Sequence, residues 1–206
     1  MTTTMAAARL EGHSLTRGGG DIVDVTPDLA RRFAAGEAGA FEEVVALYQS
    51  RVERLARRLL GWRGGDVEDV VQDVFLAALT GARSFRGGSS LWTWLTAITL
   101  NRCRRHARRA ALARRFREWL GKQQGSQGTN AAADRLTLET EAGLRVRSAV
   151  AALPPRDREV VVLYYLEGRP VAETAEALGV SPGAVEVRLH RARQRLRTML
   201  NDWFEE

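Results

Sequence analysis

Three carboxylates, Asp66, Asp69 and Asp73, recur at spacings of three and four residues, with Glu68 and Gln72 beside them. On a helix that spacing stacks the acids on one face. Such a face has two chemical uses. It can accept hydrogen bonds from a basic protein surface, or hold a divalent cation of the kind nucleases use to activate water. Asp66 also stands where its side chain can cap the first turn of that helix. A metal-dependent hydrolase needs further ligands or a nucleophile–base set close by. The three histidines, His13, His106 and His190, are scattered along the chain, so the docking use is the stronger reading.

Two further sets are cationic. Between Asn101 and Arg117 stand eight arginines and no acid. Like charges one turn apart cost a helix about 0.2–0.5 kcal/mol per pair. A polyanion relieves that repulsion and makes binding salt-dependent. Asn101, Arg102, Arg105, Arg108 and Arg109 are the candidates. Near the C-terminus, Arg188, Arg191 and Arg195 step by three and four, off the apolar stripe of Val185, Leu189, Ala192 and Leu196. Arginine reads guanine bidentately, which suits Arg188 and Arg191; Arg195, further along, suits phosphate. Ser181, Gly183, Ala184, Glu186 and Val187 share the segment free to enter a groove. A solvated basic face is the bland alternative for both sets.

The stretch "SFRGGSSLWTWL" supplies Phe85, Arg86, Trp92 and Trp94, with Arg83 immediately before it. Unpaired bases need an aromatic or apolar pocket with cations along the backbone. Trp92 and Trp94 are two apart and cannot share a helix face. One therefore belongs to a core and the other is partly exposed.

Composition narrows the class. The 206-residue chain carries a net charge of +6, and 30 of its 31 basic residues are arginine. From Asp28 to Leu120 there are 17 basic and 10 acidic residues; from Arg135 to Glu206 there are 11 of each. A basic excess focused in one half fits a polyanionic partner. The single cysteine, Cys103, excludes an internal disulfide and a multi-cysteine zinc site; it reads as a small buried residue. No apolar run approaches the roughly 20 residues that span a bilayer, and no secretory signal pattern opens the chain. The expectation is a cytoplasmic protein without cofactor, metal or membrane insertion.

These residues need helices to position them. Phe41, Val44, Val45, Tyr48, Val52, Leu55, Leu59 and Trp62 form one helical stripe, ended by "GWRGG". A second helix starts at Asp66, with Val67, Val70, Val71, Val74 and Ala78 inward. Ser90 caps a third, from Leu91 to Leu120. "GKQQGSQGTN" reads as a flexible linker. After it, "LPPRDREVVVLYYLEG" is a Pro-initiated helix, "RPVAETAEALGV" a short one, and Ser181 caps a last helix with Pro182 in its first turn. The Gly179-Val180-Ser181 turn gives helix-turn-helix spacing. The last helix carries Val185, Leu189, Ala192, Leu196, Met199 or Leu200, and Trp203 inward. No strand periodicity is sustained. The expected fold is all-α. A disordered extension (1–27) precedes a helical domain (28–120), a flexible linker (121–134) and a helix-turn-helix domain (135–206).

The ordered series "DVEDVVQDVFLAAL", "SFRGGSSLWTWLTAITLN", a basic helix, a linker and "LPPRDREVVVLYYLEGRPVAETAEALGVSPGAVEVRLHRARQRLR" resembles a bacterial RNA polymerase sigma factor of the extracytoplasmic-function (ECF) class. The resemblance covers about Asp28 to Leu200. It implies a non-enzymatic promoter-specificity subunit with a region 2-like bundle and a region 4-like helix-turn-helix. The acidic helix would dock on the β′ clamp helices of core RNA polymerase. The aromatic loop and basic helix would take melted and downstream promoter DNA. The last helix would read the upstream element, with Leu163, Tyr164 and Tyr165 as candidates for contact with the β flap. The class is commonly restrained by an anti-sigma factor. Three positions depart from the family pattern: Leu95 where a second aromatic wedge is common, Arg105 where Asp is frequent, and Glu186 where a cation is usual. The alternative is a stand-alone helix-turn-helix regulator, which leaves the acidic helix and aromatic loop without a job.

Overall fold

A computed structural model describes residues 27–62, 66–120 and 140–201. The expected extension up to Thr26 and the expected linker lie outside the described residues. Among those described there are eight α-helices and no strand.

In the N-terminal module, α1 (Pro27–Ala35) and α2 (Ala40–Leu59) precede α3 (Val67–Gly81) and α4 (Leu91–Trp119). The stripe on α2 buries Val44, Tyr48, Val52, Leu55 and Leu59. Trp62 does not extend that stripe. The helix has ended, Gly61 reverses the chain at φ 73°, and Trp62 itself sits at φ 58°, a left-handed conformation uncommon for a side-chain-bearing residue. α3 turns Val67, Val70, Val71, Val74, Phe75 and Ala78 inward. Asp66 does not cap it; the carboxylate is instead 3.0 Å from His106 Nε2 on α4. Ser90 does cap α4, accepting from the Thr93 amide at 3.1 Å. The core face of α4 runs from Leu91 to Cys103. From Ala107 to Leu120 the helix is exposed on every side.

The C-terminal module contains α5 (Glu141–Ala152), α6 (Pro155–Val161), α7 (Val171–Leu178) and α8 (Pro182–Leu200), with one π-helical turn over Val162–Leu166 continuing α6. α7 ends at Gly179, whose φ of 67° is the left-handed cap glycine adopts cheaply. Ser181 Oγ then accepts from the Ala184 amide, with Pro182 in the first turn. α7 buries Thr174, Ala175, Ala177 and Leu178, and α8 answers with Val185, Leu189 and Ala192. Beyond these the last turns are loosely held: Leu196 is only partly buried and Met199 is 44% exposed. Trp203 lies outside the described residues.

Sequence periodicity left α1 and α5 unassigned. Both have short apolar signals. α1 buries only Leu29 and Phe33 as large residues, and α5 buries only Ala149 and Val150.

The two modules pack on each other, and their buried apolar residues form one contiguous cluster. Arg158 fastens the end of α2 to the end of α5, donating to the carbonyls of Leu59 at 3.1 Å, Ala151 at 2.7 Å and Leu153 at 3.0 Å. A Cβ at Gly61 would fall 2.9 Å from Arg158 Nη1, so glycine there admits the guanidinium as well as the turn.

Candidate nucleic-acid interface

Three surfaces carry the polar residues singled out from the sequence. On α3, Glu68, Asp69, Gln72 and Asp73 are all exposed on the side away from the core. Leu76 and Leu79, one and two turns further, are 59% and 49% exposed. Periodicity gave no warning of them, because the α3 stripe is complete without them. Leu76 continues the line of Asp69, Gln72 and Asp73, so the face is acidic at its start and apolar at its end. Among the described residues no three His, Cys, Asp or Glu side chains converge as a cation site would require.

The second surface is the loop before α4 and the outer side of that helix. Arg83 and Arg86 are exposed, but Phe85 and Trp92 are not at the surface. Phe85 is 8% exposed and lies 5.5 Å, ring to ring, from Trp94. Trp92 is 7% exposed and stacks on Tyr48 at 5.7 Å with its plane 7° from parallel. Both were expected to touch DNA. The α4 register turns Trp92 to the core, and the chain reversal after α3 folds Phe85 under. Trp94 is the half-exposed tryptophan of the pair, wedged between Phe33 and Phe85. Leu95 is fully buried, so that position faces the core and not a DNA base.

Along α4, Asn101, Arg105, Arg108 and Arg109 are exposed and Arg102 is half-buried. Arg104 differs from its neighbours. It makes a bidentate pair with Glu159 of α6, at 2.7 and 2.8 Å, and the bonded carboxylate raises its pKa. Cys103 is buried, and desolvation, reinforced by the nearby Glu159, pushes its thiol up to about 12.

The third surface is the start of α8. Ser181, Gly183, Glu186 and Val187 are exposed, with Ala184 and Arg188 half-buried; Val187 is 58% exposed. Arg191 and Arg195 are less free than expected. Both turn toward Asp157, a carboxylate buried at the start of α6. Arg195 donates to it at 2.6 Å, and Arg191 lies 3.6 Å away. The i, i+4 step that aligns these arginines also aims them at one buried acid, a long-range partner that local spacing does not reveal. A groove of about 570 Å³ beside Val187 is lined in part by Tyr164, Tyr165, Glu186 and Arg191. Tyr165 is 49% exposed, whereas Leu163 is fully buried and unable to meet a partner.

An all-α chain with an exposed acidic helix face, a basic long helix and a helix-turn-helix has the layout of a DNA-binding protein of two modules. Residues 44–113 match the Sigma-70 region 2 family and residues 143–196 match Sigma-70 region 4. The chain is 33% identical over 173 residues to the ECF RNA polymerase sigma factor SigM of Mycobacterium tuberculosis, covering 84% of this chain and 83% of that one. It is 31% identical over 177 residues to the ECF RNA polymerase sigma-E factor of Escherichia coli, covering 81% and 89%. Among solved structures, CnrH in complex with the cytosolic domain of CnrY aligns with a TM-score of 0.61 and 32% identity, over 85% of this chain and 96% of that one. The chain belongs to the ECF RNA polymerase sigma factors. The resemblance read from its motifs agrees with this assignment. No helix of the described residues is long and apolar enough to cross a membrane.

Proposed function

We propose that this sigma factor docks on core RNA polymerase through the exposed face of α3, with Glu68, Asp69, Gln72 and Asp73 accepting hydrogen bonds and Leu76 and Leu79 burying apolar area beside them. The observation that carries the proposal is that mixed face: a solvated helix has no need of two large apolar residues next to its acids. A purely structural helix would turn them inward.

The DNA roles follow from exposure. Arg83, Arg86 and Trp94 line the loop side that would receive unpaired bases. Asn101, Arg102, Arg105, Arg108 and Arg109 present cations to the downstream element. Arg105, where the family pattern favours Asp, is fully outward and would add one phosphate contact. At the upstream element, Arg188 and Val187 stand where a major-groove helix reads bases, and Glu186 would select cytosine N4 over any acceptor edge. The protein supplies no catalysis of its own and works in the cytoplasm with the polymerase. The solved relative CnrH is held by a protein partner, the cytosolic domain of CnrY, and a protein regulator of the anti-sigma kind is the partner class proposed for this chain.

Run-off transcription with purified core polymerase tests the proposal. Asp69→Arg should lower holoenzyme assembly at least tenfold, equal to about 1.4 kcal/mol, with helicity by circular dichroism unchanged. Wild-type protein that binds duplex DNA but adds no promoter-directed transcript would return the chain to the stand-alone regulator reading.

A further inference from the structure

The core face of α4 ends at Cys103, yet the helix runs on to Trp119. Its outward side is one continuous line, because Asn101, Arg105, Arg108, Leu112, Phe116 and Trp119 step by four, three, four, four and three residues. The line is cationic toward its start and apolar at its end. Phe116 is 59% and Trp119 78% exposed, with Leu112 and Leu120 also exposed beside them. The two rings lie against each other, 6.0 Å apart and 26° from parallel. No acid shares this side. Glu118 is the only acid between Asn101 and Leu120, and it turns to Arg114 at 3.7 Å.

Contact with water alone gives no reason for a patch of four large apolar side chains. The adjoining chain offers it little cover, since residues 121–139 contain only Leu136 and Leu138 as large apolar residues. Charge and continuity name the occupant. The arginines in the first half of the line suit phosphate. The side chains that follow on the same face include two rings, the groups on which unpaired bases stack. Paired bases have both faces covered by their neighbours, so such a platform takes a single strand and not a duplex. Phe116, Trp119 and Leu120 also lie outside both family matches, which cover residues 44–113 and 143–196. The platform is therefore not part of the matched sigma pattern.

We propose that the end of α4 is a stacking platform for unpaired nucleobases: a strand whose phosphates pair with Arg105, Arg108 and Arg109 continues along the same face and lays its bases on Phe116 and Trp119, with Leu112 and Leu120 at the sides. The proposal rests on the DNA role assigned above to α4. Trp119 lies about 37 Å along the helix from Trp94, so the platform holds a different stretch of strand from the loop that Trp94 lines. Because it engages only unpaired bases, its binding energy goes to melted DNA and not to the closed duplex.

The test uses the full chain and two dye-labelled probes of about 20 nucleotides, long enough for one strand to follow α4. One is single-stranded DNA of mixed sequence; the other is the same backbone built from abasic units. Phe116→Leu combined with Trp119→Leu keeps the charge and the apolar character of the face but removes both rings. It should weaken binding of the base-bearing strand by roughly fivefold or more, and that of the abasic strand by much less. Trp119→Phe keeps a ring and should stay within about twofold of wild type. Should the double variant lose helicity by circular dichroism, Trp119→Leu alone decides. If leucine binds the base-bearing strand as tightly as wild type, or Trp119→Phe does no better than Trp119→Leu, stacking is overturned and the face belongs to a protein or lipid surface. Equal losses on the two probes overturn it as well. Arg108→Ala combined with Arg109→Ala should weaken both probes. If it weakens neither, the DNA role of α4 fails and the platform with it; if it does while the leucine variant matches wild type, the platform alone falls.

Discussion

Arg188 and Arg195 lie on one face in the sequence, seven residues apart, both candidates for DNA contact. The structure separates them. Arg195 compensates the buried Asp157 at 2.6 Å, while no ion pair within the chain engages Arg188 among the described residues. Arg195→Ala should lower stability by about 1–3 kcal/mol in chemical denaturation, because a buried carboxylate loses its strongest donor. Arg188→Ala should change stability by less than about 0.5 kcal/mol and weaken upstream-element binding by about 1–3 kcal/mol in a fluorescence titration. If the two effects exchange places, the assignment is wrong. Cys103 gives a second residue-scale expectation. Its thiol is raised from 9.0 to about 12 by burial, so it is protonated when folded. The linkage has a definite sign: burial favours the neutral thiol, that contribution is complete below pH 9.0, and it is lost as pH rises toward 12. Alkylation at pH 8 should be roughly a thousandfold slower in the native chain than in the unfolded one; comparable rates would show an open site.

At the scale of elements, α7 and α8 cross closely because Ala175 is small and 3% exposed. Ala175→Leu should overpack that crossing and cost about 1–3 kcal/mol in thermal unfolding; a neutral result would mean the helices stand further apart. α4 is two helices in character. Its first half is a core element, capped by Ser90 and filled by Leu95, Thr96, Thr99 and Leu100. Its second half projects free of the core, with Leu112, Phe116 and Trp119 exposed alongside the arginines. The change from apolar to basic midway through α4 was legible in the sequence. The register that buries Trp92 and half-exposes Trp94 was legible only as an either-or, since a two-residue step forbids a shared face without naming the buried member. Phe85 was misplaced because aromatic residues near arginines resemble a base pocket and a core edge equally well.

For the whole molecule, the packing of the two modules makes a prediction about cleavage. A protease site placed between residues 121 and 139 should yield pieces that co-elute in gel filtration at low salt, since the modules share one buried apolar cluster. Immediate separation at low salt would show that this shared cluster contributes little. The acidic helix, the basic helix and the helix-turn-helix were each visible as local patterns, and together they were enough to point to the ECF class. Their mutual arrangement was not visible, because Arg169 meets Thr93 and Thr96 across more than seventy residues.

The sequence by itself determined which segments are helices with strong stripes, where Ser90, Gly179 and Ser181 start and stop them, and which faces carry charge. Those features depend on interactions within a few residues, through periodicity, capping and backbone freedom. Only the tertiary structure decided which charges remain available. Arg104 and Arg195 are occupied by Glu159 and Asp157, Asp66 is drawn to His106, and Trp92 lies beneath Arg51 and Arg169. The physical reason is range: an ion pair or a buried ring is settled by whichever distant group the fold brings within a few ångströms, and no local spacing records that partner.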